Sequence, residues 1–151
     1  MAVRDATYED IPQLTGLIAA YYEEADFEAP SIIPEKCAFV LEQVIAHIGD
    51  DVFMKVYEVD GVLAGAFFAE RVQDIWSDAF KVVEQFIYVL PAFRGKPGAG
   101  NLMLLFAKWA QLRPSVVRVE ASMGIDNEHA ATLFSRLGYE PRGSLHGMEA
   151  Y

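Results

Sequence analysis

Arg94, Gly95, Lys96, Gly98, Ala99 and Gly100 stand between an extended, β-branched and aromatic run and a segment with helical spacing. A strand, a glycine-rich turn and a helix N-terminus in that order make an anion site, because unpaired amide N–H groups and the positive end of the helix dipole face the ligand. A Walker loop needs Gly-Lys-Ser/Thr after its spacer. Here Gly100 is followed by Asn101 and Leu102, so the phosphate-gripping lysine and metal-holding hydroxyl are missing. A dinucleotide fingerprint fails as well: Met103 replaces its third glycine, and too little chain follows for the strands and helices that fold requires. Upstream, Glu84 is set among Val82, Val83, Phe86 and Ile87; burial there raises a carboxyl pKa toward the range of a general base. A lone Cys37 and three scattered histidines, His47, His129 and His146, provide no metal-ligand spacing, so no metal is expected.

The elements that must position these groups follow from periodicity. Ile11, Leu14, Ile18, Tyr21 and Tyr22 predict an amphipathic helix over 9–22. A second helix is predicted over 34–48, with Phe39, Val40, Val44, Ile45 and Ile48 as its buried stripe. Strands over 52–59 and 62–71 flank Asp60-Gly61, a strong two-residue hairpin signal. A strand over 80–89, a helix over 101–112, a short strand over 116–121 and a helix over 127–137 capped by Gly138 complete the series, and an extended tail follows. The residues alone therefore read ααβββαβα with a strand tail, a mixed sheet flanked by helices in one domain over 1–151.

Of the 151 residues 53% are hydrophobic, ample for a packed core. The longest apolar run, Val62 to Ala69, is too short to span a bilayer, and the N-terminus lacks signal-peptide character; a cytoplasmic protein with no membrane partner is expected. The net charge of −10 opposes nucleic-acid binding. That charge is uneven: residues 1–90 carry 17 acidic and 5 basic side chains, residues 91–151 carry 5 and 7. An anionic ligand therefore suits the C-terminal part and a cationic one the N-terminal part.

Two motifs together carry a family resemblance. Val89-x-Pro91-x-Phe93-Arg94-Gly95-Lys96-x-Gly98-x-Gly100-x-Leu102, followed by Asn127-x-x-Ala130-x-x-Leu133-Phe134-x-x-Leu137-Gly138-Tyr139, resembles the GNAT superfamily of acetyl-CoA-dependent N-acetyltransferases. The resemblance covers nearly the whole chain. It implies an α/β (α+β) fold with a mixed, mostly antiparallel sheet flanked by helices on both faces, in the order β-α-α-β-β-β-α-β-α-β. It further implies that amides around Arg94, Gly95, Lys96, Gly98, Ala99 and Gly100 cradle the CoA pyrophosphate, that the backbone of Ile87, Tyr88 and Val89 pairs with the pantetheine arm, and that Asn127 helps hold CoA. Two departures stand out. Pro97, which has no N–H, occupies a glycine slot or marks an inserted residue, and Phe134 fills the slot where the family often has a proton-donating Tyr.

Acetyl transfer needs a neutral amine, whereas an alkyl amine with a pKa of about 10.4 is protonated near neutrality. Glu84 is the candidate base, with a structural carboxylate as the alternative; Ser135, Tyr139 and Tyr88 are candidate donors to the departing thiolate. A cationic primary amine suits the acidic stretch Glu23, Glu24, Asp26 and Glu28, and Trp76, Asp74 and Asp78 are candidates for an opposite wall. The expected activity is N-acetylation in a ternary complex, with a catalytically weak GNAT-fold CoA-binding or regulatory module as the alternative. The short chain after Gly138 leads to the further expectation of a homodimer that completes its sheet through C-termini.

Overall fold

A computed structural model of the protein describes residues 2–25, 31–121 and 128–141. Five strands, β1 (Ala2–Asp5), β2 (Val52–Val59), β3 (Val62–Gln73), β4 (Phe80–Val89) and β5 (Val116–Glu120), form one sheet in sequential order. The first four are antiparallel neighbours, and β5 runs parallel to β4. β1, four residues long, is too short to betray itself by alternation. The β2–β3 turn places both Asp60 (φ 49°) and Gly61 (φ 80°) in the left-handed region, as an Asp-Gly hairpin requires.

Helices α1 (Ile11–Glu24) and α2 (Pro34–Ala46) cover one face of the sheet. There Leu14, Leu17 and Leu41 pack with Met54, Val56, Ala66 and Tyr88. Helices α3 (Pro97–Gln111) and α4 (Glu128–Arg136) cover the other face, where Phe53, Phe67, Leu102, Phe106 and Phe134 form the core. In α2 the stripe is rotated from the predicted one. Leu41, with Val44, Ile45 and Ile48, turns inward, while Phe39 and Val40 are 63% and 45% exposed. Cys37, on the same helix, is half-buried.

The largest difference from the predicted elements is at α3. It begins at Pro97 rather than Asn101, so Gly98, Ala99 and Gly100 form its first turn instead of a loop. The reason is local: Lys96 is extended (φ −84°, ψ 155°) as an N-cap should be, and proline at the first helical position has a pre-set φ and lacks an N–H that no helix bond would have used. Beyond β5, α4 closes with a Schellman motif. The Tyr139 amide donates to the Phe134 carbonyl at 3.0 Å, the Gly138 amide to Ser135 at 3.1 Å, and Gly138 has φ 89°.

Candidate active site

β4 and β5 share only a short stretch, Phe80–Val83 against Val116 and Arg118–Glu120, whereas β3 follows β4 all the way to Val89. Among the described residues, no strand pairs the outer edge of β4 from Gln85 to Val89. The Leu90 amide donates to the Ala64 carbonyl at 2.8 Å, toward β3. Strand backbones alternate, so Tyr88 also directs its N–H and C=O to β3, and the groups facing the open edge belong to Ile87 and Val89. Of the three residues expected to offer backbone to a ligand, Tyr88 is thus turned the wrong way. A β-bulge between Phe68 and Ala69 of β3, opposite Phe86 and Glu84, lets Gln85 stand as the extra residue in β4.

The carbonyl of Val89 is engaged. Arg94 donates Nε to it at 2.9 Å, and both terminal nitrogens of the guanidinium grip Glu24 in the last turn of α1, Nη1 to Oε1 at 2.7 Å and Nη2 to Oε2. The guanidinium also lies 5.5 Å over the ring of Tyr88. The hydrogen bond from Arg94 holds Glu24 below the usual carboxylate range. Burial, followed by the Glu24 carboxylate, pushes the Tyr88 phenol up. Among the described residues, the outward groups that no partner claims along this edge are the Ile87 N–H and C=O and the Val89 N–H.

Glu84 is 8% exposed on the same strand. Tyr21 of α1 sets its ring edge-on to Phe86 (5.4 Å) and Tyr88 (6.0 Å). Burial raises the Tyr21 phenol pKa first, and the charge of Glu84 raises it further, which brings α1 and the buried carboxylate into one electrostatic neighbourhood.

At the N-terminus of α3 the glycines divide by role. Gly95 has φ 75°, a turn conformation that favours glycine. Gly98 is buried against Tyr57, where a Cβ would meet the ring at 2.1 Å, so its smallness serves helix-to-sheet packing. Around Gly100 a Cβ would meet nothing within 4 Å, which leaves room for a ligand. The amides are fewer than a glycine-rich loop would offer. Lys96 donates to Phe93 at 3.4 Å, Ala99 donates to Lys96 at 3.2 Å, and Pro97 has no N–H, so Gly98 retains the first-turn amide without a helix partner.

The candidate proton donors lie elsewhere. Ser135 is exposed. Tyr139 packs edge-on against buried Phe134 at 5.0 Å, and burial pushes its phenol up to about 12. Asn127, Asp26 and Glu28 lie outside the described residues, as does the tail beyond 141 from which a dimer was expected. Trp76, 87% exposed, sits with Asp74 and Asp78 on the β3–β4 turn, at the end of β4 remote from Val89. No described helix is long and apolar enough to cross a membrane, and the described residues contain no group of metal-ligating side chains. Sequence reasoning missed the Glu24–Arg94 pair and Tyr21. The available signal was a glutamate at a helix C-terminus, where the dipole disfavours it, three residues after Tyr21.

The model of the Acetyltransferase (GNAT) family matches residues 13–139, and the chain belongs to that family. It resembles the aminoglycoside antibiotic 6′-N-acetyltransferase AAC(6′)-Ig of Acinetobacter haemolyticus at 16% identity and a TM-score of 0.71, covering 100% of this chain and 99% of that one. A ribosomal-protein-alanine N-acetyltransferase from Brucella melitensis biovar Abortus matches at 17% and 0.72, covering 99% and 98%. AAC(6′)-Iy, solved with the bisubstrate analog CoA-S-monomethyl-acetylneamine, matches at 17% and 0.69, covering 99% and 97%. At these identities the likeness is one of fold. No curated protein matches the sequence.

Proposed function

We propose that the protein transfers an acetyl group from acetyl-CoA to a primary amine by direct attack in a ternary complex. The observation that carries this reading is that the β4–β5 ladder ends at Val83 and Glu120, so that among the described residues no strand pairs the outward groups of Ile87 and Val89 beside the N-terminus of α3. The pantetheine arm fits that edge as an added half-strand. The pyrophosphate fits the Gly98 amide and Lys96, with Gly100 providing clearance. A single molecule reaching from the helix end to the middle of β4 brings its thioester toward Glu84.

In the reaction, Glu84 takes a proton from the incoming ammonium. The neutral nitrogen attacks the thioester carbonyl, an outward β4 amide stabilises the oxyanion, the attacking nitrogen gives up its second proton to solvent, and the C–S bond breaks to release CoA thiolate and leave a neutral amide. A thiol pKa of about 8.5 makes that thiolate a good enough leaving group for solvent to protonate it, so the Phe134 slot needs no acid. Two of the three similar structures named above are N-acetyltransferases by name, which favours a nitrogen acceptor. The acidic N-terminal part favours a cationic one.

A second reading, a weakly catalytic CoA-binding module, draws on Pro97 and buried Phe134. Release of free thiol from acetyl-CoA across a panel of primary amines separates the two. Amine-dependent release that falls in Glu84→Gln supports the enzyme, and a rate no higher than spontaneous hydrolysis with every amine refutes it.

A further inference from the structure

We infer that Arg94 is a positioning residue that clamps the end of β4 to α1 through Glu24, and that its guanidinium does not hold the pyrophosphate. Three of the five N–H groups are committed, and with them the fork that a phosphate would need: Nε to the Val89 carbonyl at 2.9 Å, Nη1 to Glu24 at 2.7 Å, and Nη2 to the second oxygen of the same carboxylate. Such a fork-to-fork pair is the strongest form of the ion pair, and the Tyr88 ring beneath it adds a cation–π contact at 5.5 Å. Turning the fork to a phosphate would break this set and strand Glu24 at a helix C-terminus that has no basic residue in its last turn.

The clamp has a direct effect on the open edge. By occupying the Val89 carbonyl it ends the row of free groups there, leaves the Val89 N–H and both Ile87 groups for the pantetheine arm, and fixes their direction. It also ties that edge to the last turn of α1, one residue before the segment carrying Asp26 and Glu28. The inference rests on the proposed use of CoA, and the experiment reads the two separately.

Four full-length proteins, wild type, Glu24→Gln, Arg94→Gln and the double variant, are compared by thermal unfolding and by titration with CoA and with pantetheine, which lacks the pyrophosphate. Losses in Tm that are not additive are expected. Affinities for CoA and pantetheine are expected to weaken together, by about fivefold, in all three variants. Arg94→Lys, which keeps the charge but loses the fork, should behave like Arg94→Gln. The clamp is overturned by additive Tm losses, by a CoA affinity that falls tenfold further than that for pantetheine in Arg94→Gln and recovers in Arg94→Lys, or by tighter CoA binding in Glu24→Gln. If the wild type binds neither ligand the proposed function fails, and the clamp is judged on the additivity of the Tm losses.

Discussion

Gly98, in the first turn of α3, lies against the ring of Tyr57 on β2 so closely that a Cβ would come within 2.1 Å of it. The ring is itself buried and meets Phe93 edge-on at 6.3 Å. The helix end that faces the proposed pyrophosphate is thus seated by an aromatic ring two strands away from β4. Gly98→Ala must move either the ring or the helix, and overpacking of this kind costs about 1–3 kcal/mol. The expected result is a lower Tm and weaker CoA binding, with the double variant Gly98→Ala/Tyr57→Val losing less than the two single losses combined. Additive losses in that cycle would place the fault elsewhere.

Pro97 removes one donor from the row of amides at the start of α3. Pro97→Ala restores an N–H to the first turn of α3, and a hydrogen bond to a charged group contributes about 1.5–3 kcal/mol. CoA should bind roughly tenfold more tightly by calorimetry. Unchanged or weaker binding would mean that the pyrophosphate does not meet the first turn of α3.

Tyr139 carries a phenol pKa raised to about 12 by its burial beside Phe134. Between about 10 and that value the unfolded chain loses a proton that the folded chain retains, so stability is fully present below pH 10 and falls as the pH rises through this window. Unfolding midpoints taken at pH 9 and pH 11.5 should differ less in Tyr139→Phe than in the wild type. Because the phenol stays protonated at neutral pH and packs into the core, Tyr139→Phe should also leave the thiol-release rate within about twofold.

Asp10 is 5% exposed and accepts two hydrogen bonds from Arg4, at 2.7 and 2.9 Å, and one from the Thr7 amide at 2.8 Å. The Arg4 bonds hold its carboxyl below the usual range. Stability from this site is therefore present above the ordinary aspartate pKa of about 3.9 and is lost as pH falls through the lower folded value. Asp10→Asn should cost about 1–3 kcal/mol at pH 7 and flatten the acid limb of the stability curve, measured by urea unfolding from pH 2 to 7.

Most of the architecture was legible because it rests on local chemistry: Asp60-Gly61 requires a tight hairpin, and Leu102, Phe106 and Trp109 mark one face of α3. The helical state of Gly98, Ala99 and Gly100 was hidden, since three small residues have no periodicity and glycine suggests a loop. Phe39 and Val40 misled because which face of α2 turns inward depends on α1 and Met54, partners remote in sequence. At the site, the family motifs pointed to β4 and the start of α3, which follow one another in the fold. The clamp joins residues 70 positions apart, and no spacing rule reaches that far. Turning Tyr88 toward β3 needed the register set by the Leu90 to Ala64 bond.

The central claim is that the open edge of β4 and the first turn of α3 form one acetyl-CoA site, and calorimetric titration of the wild-type chain with acetyl-CoA tests it most directly. The account predicts one molecule bound per chain with a Kd in the micromolar range, weakened at least fivefold by a Gly100→Phe substitution that fills the clearance beside the helix end. Absence of heat at high micromolar acetyl-CoA, or binding indifferent to Gly100→Phe, would contradict it.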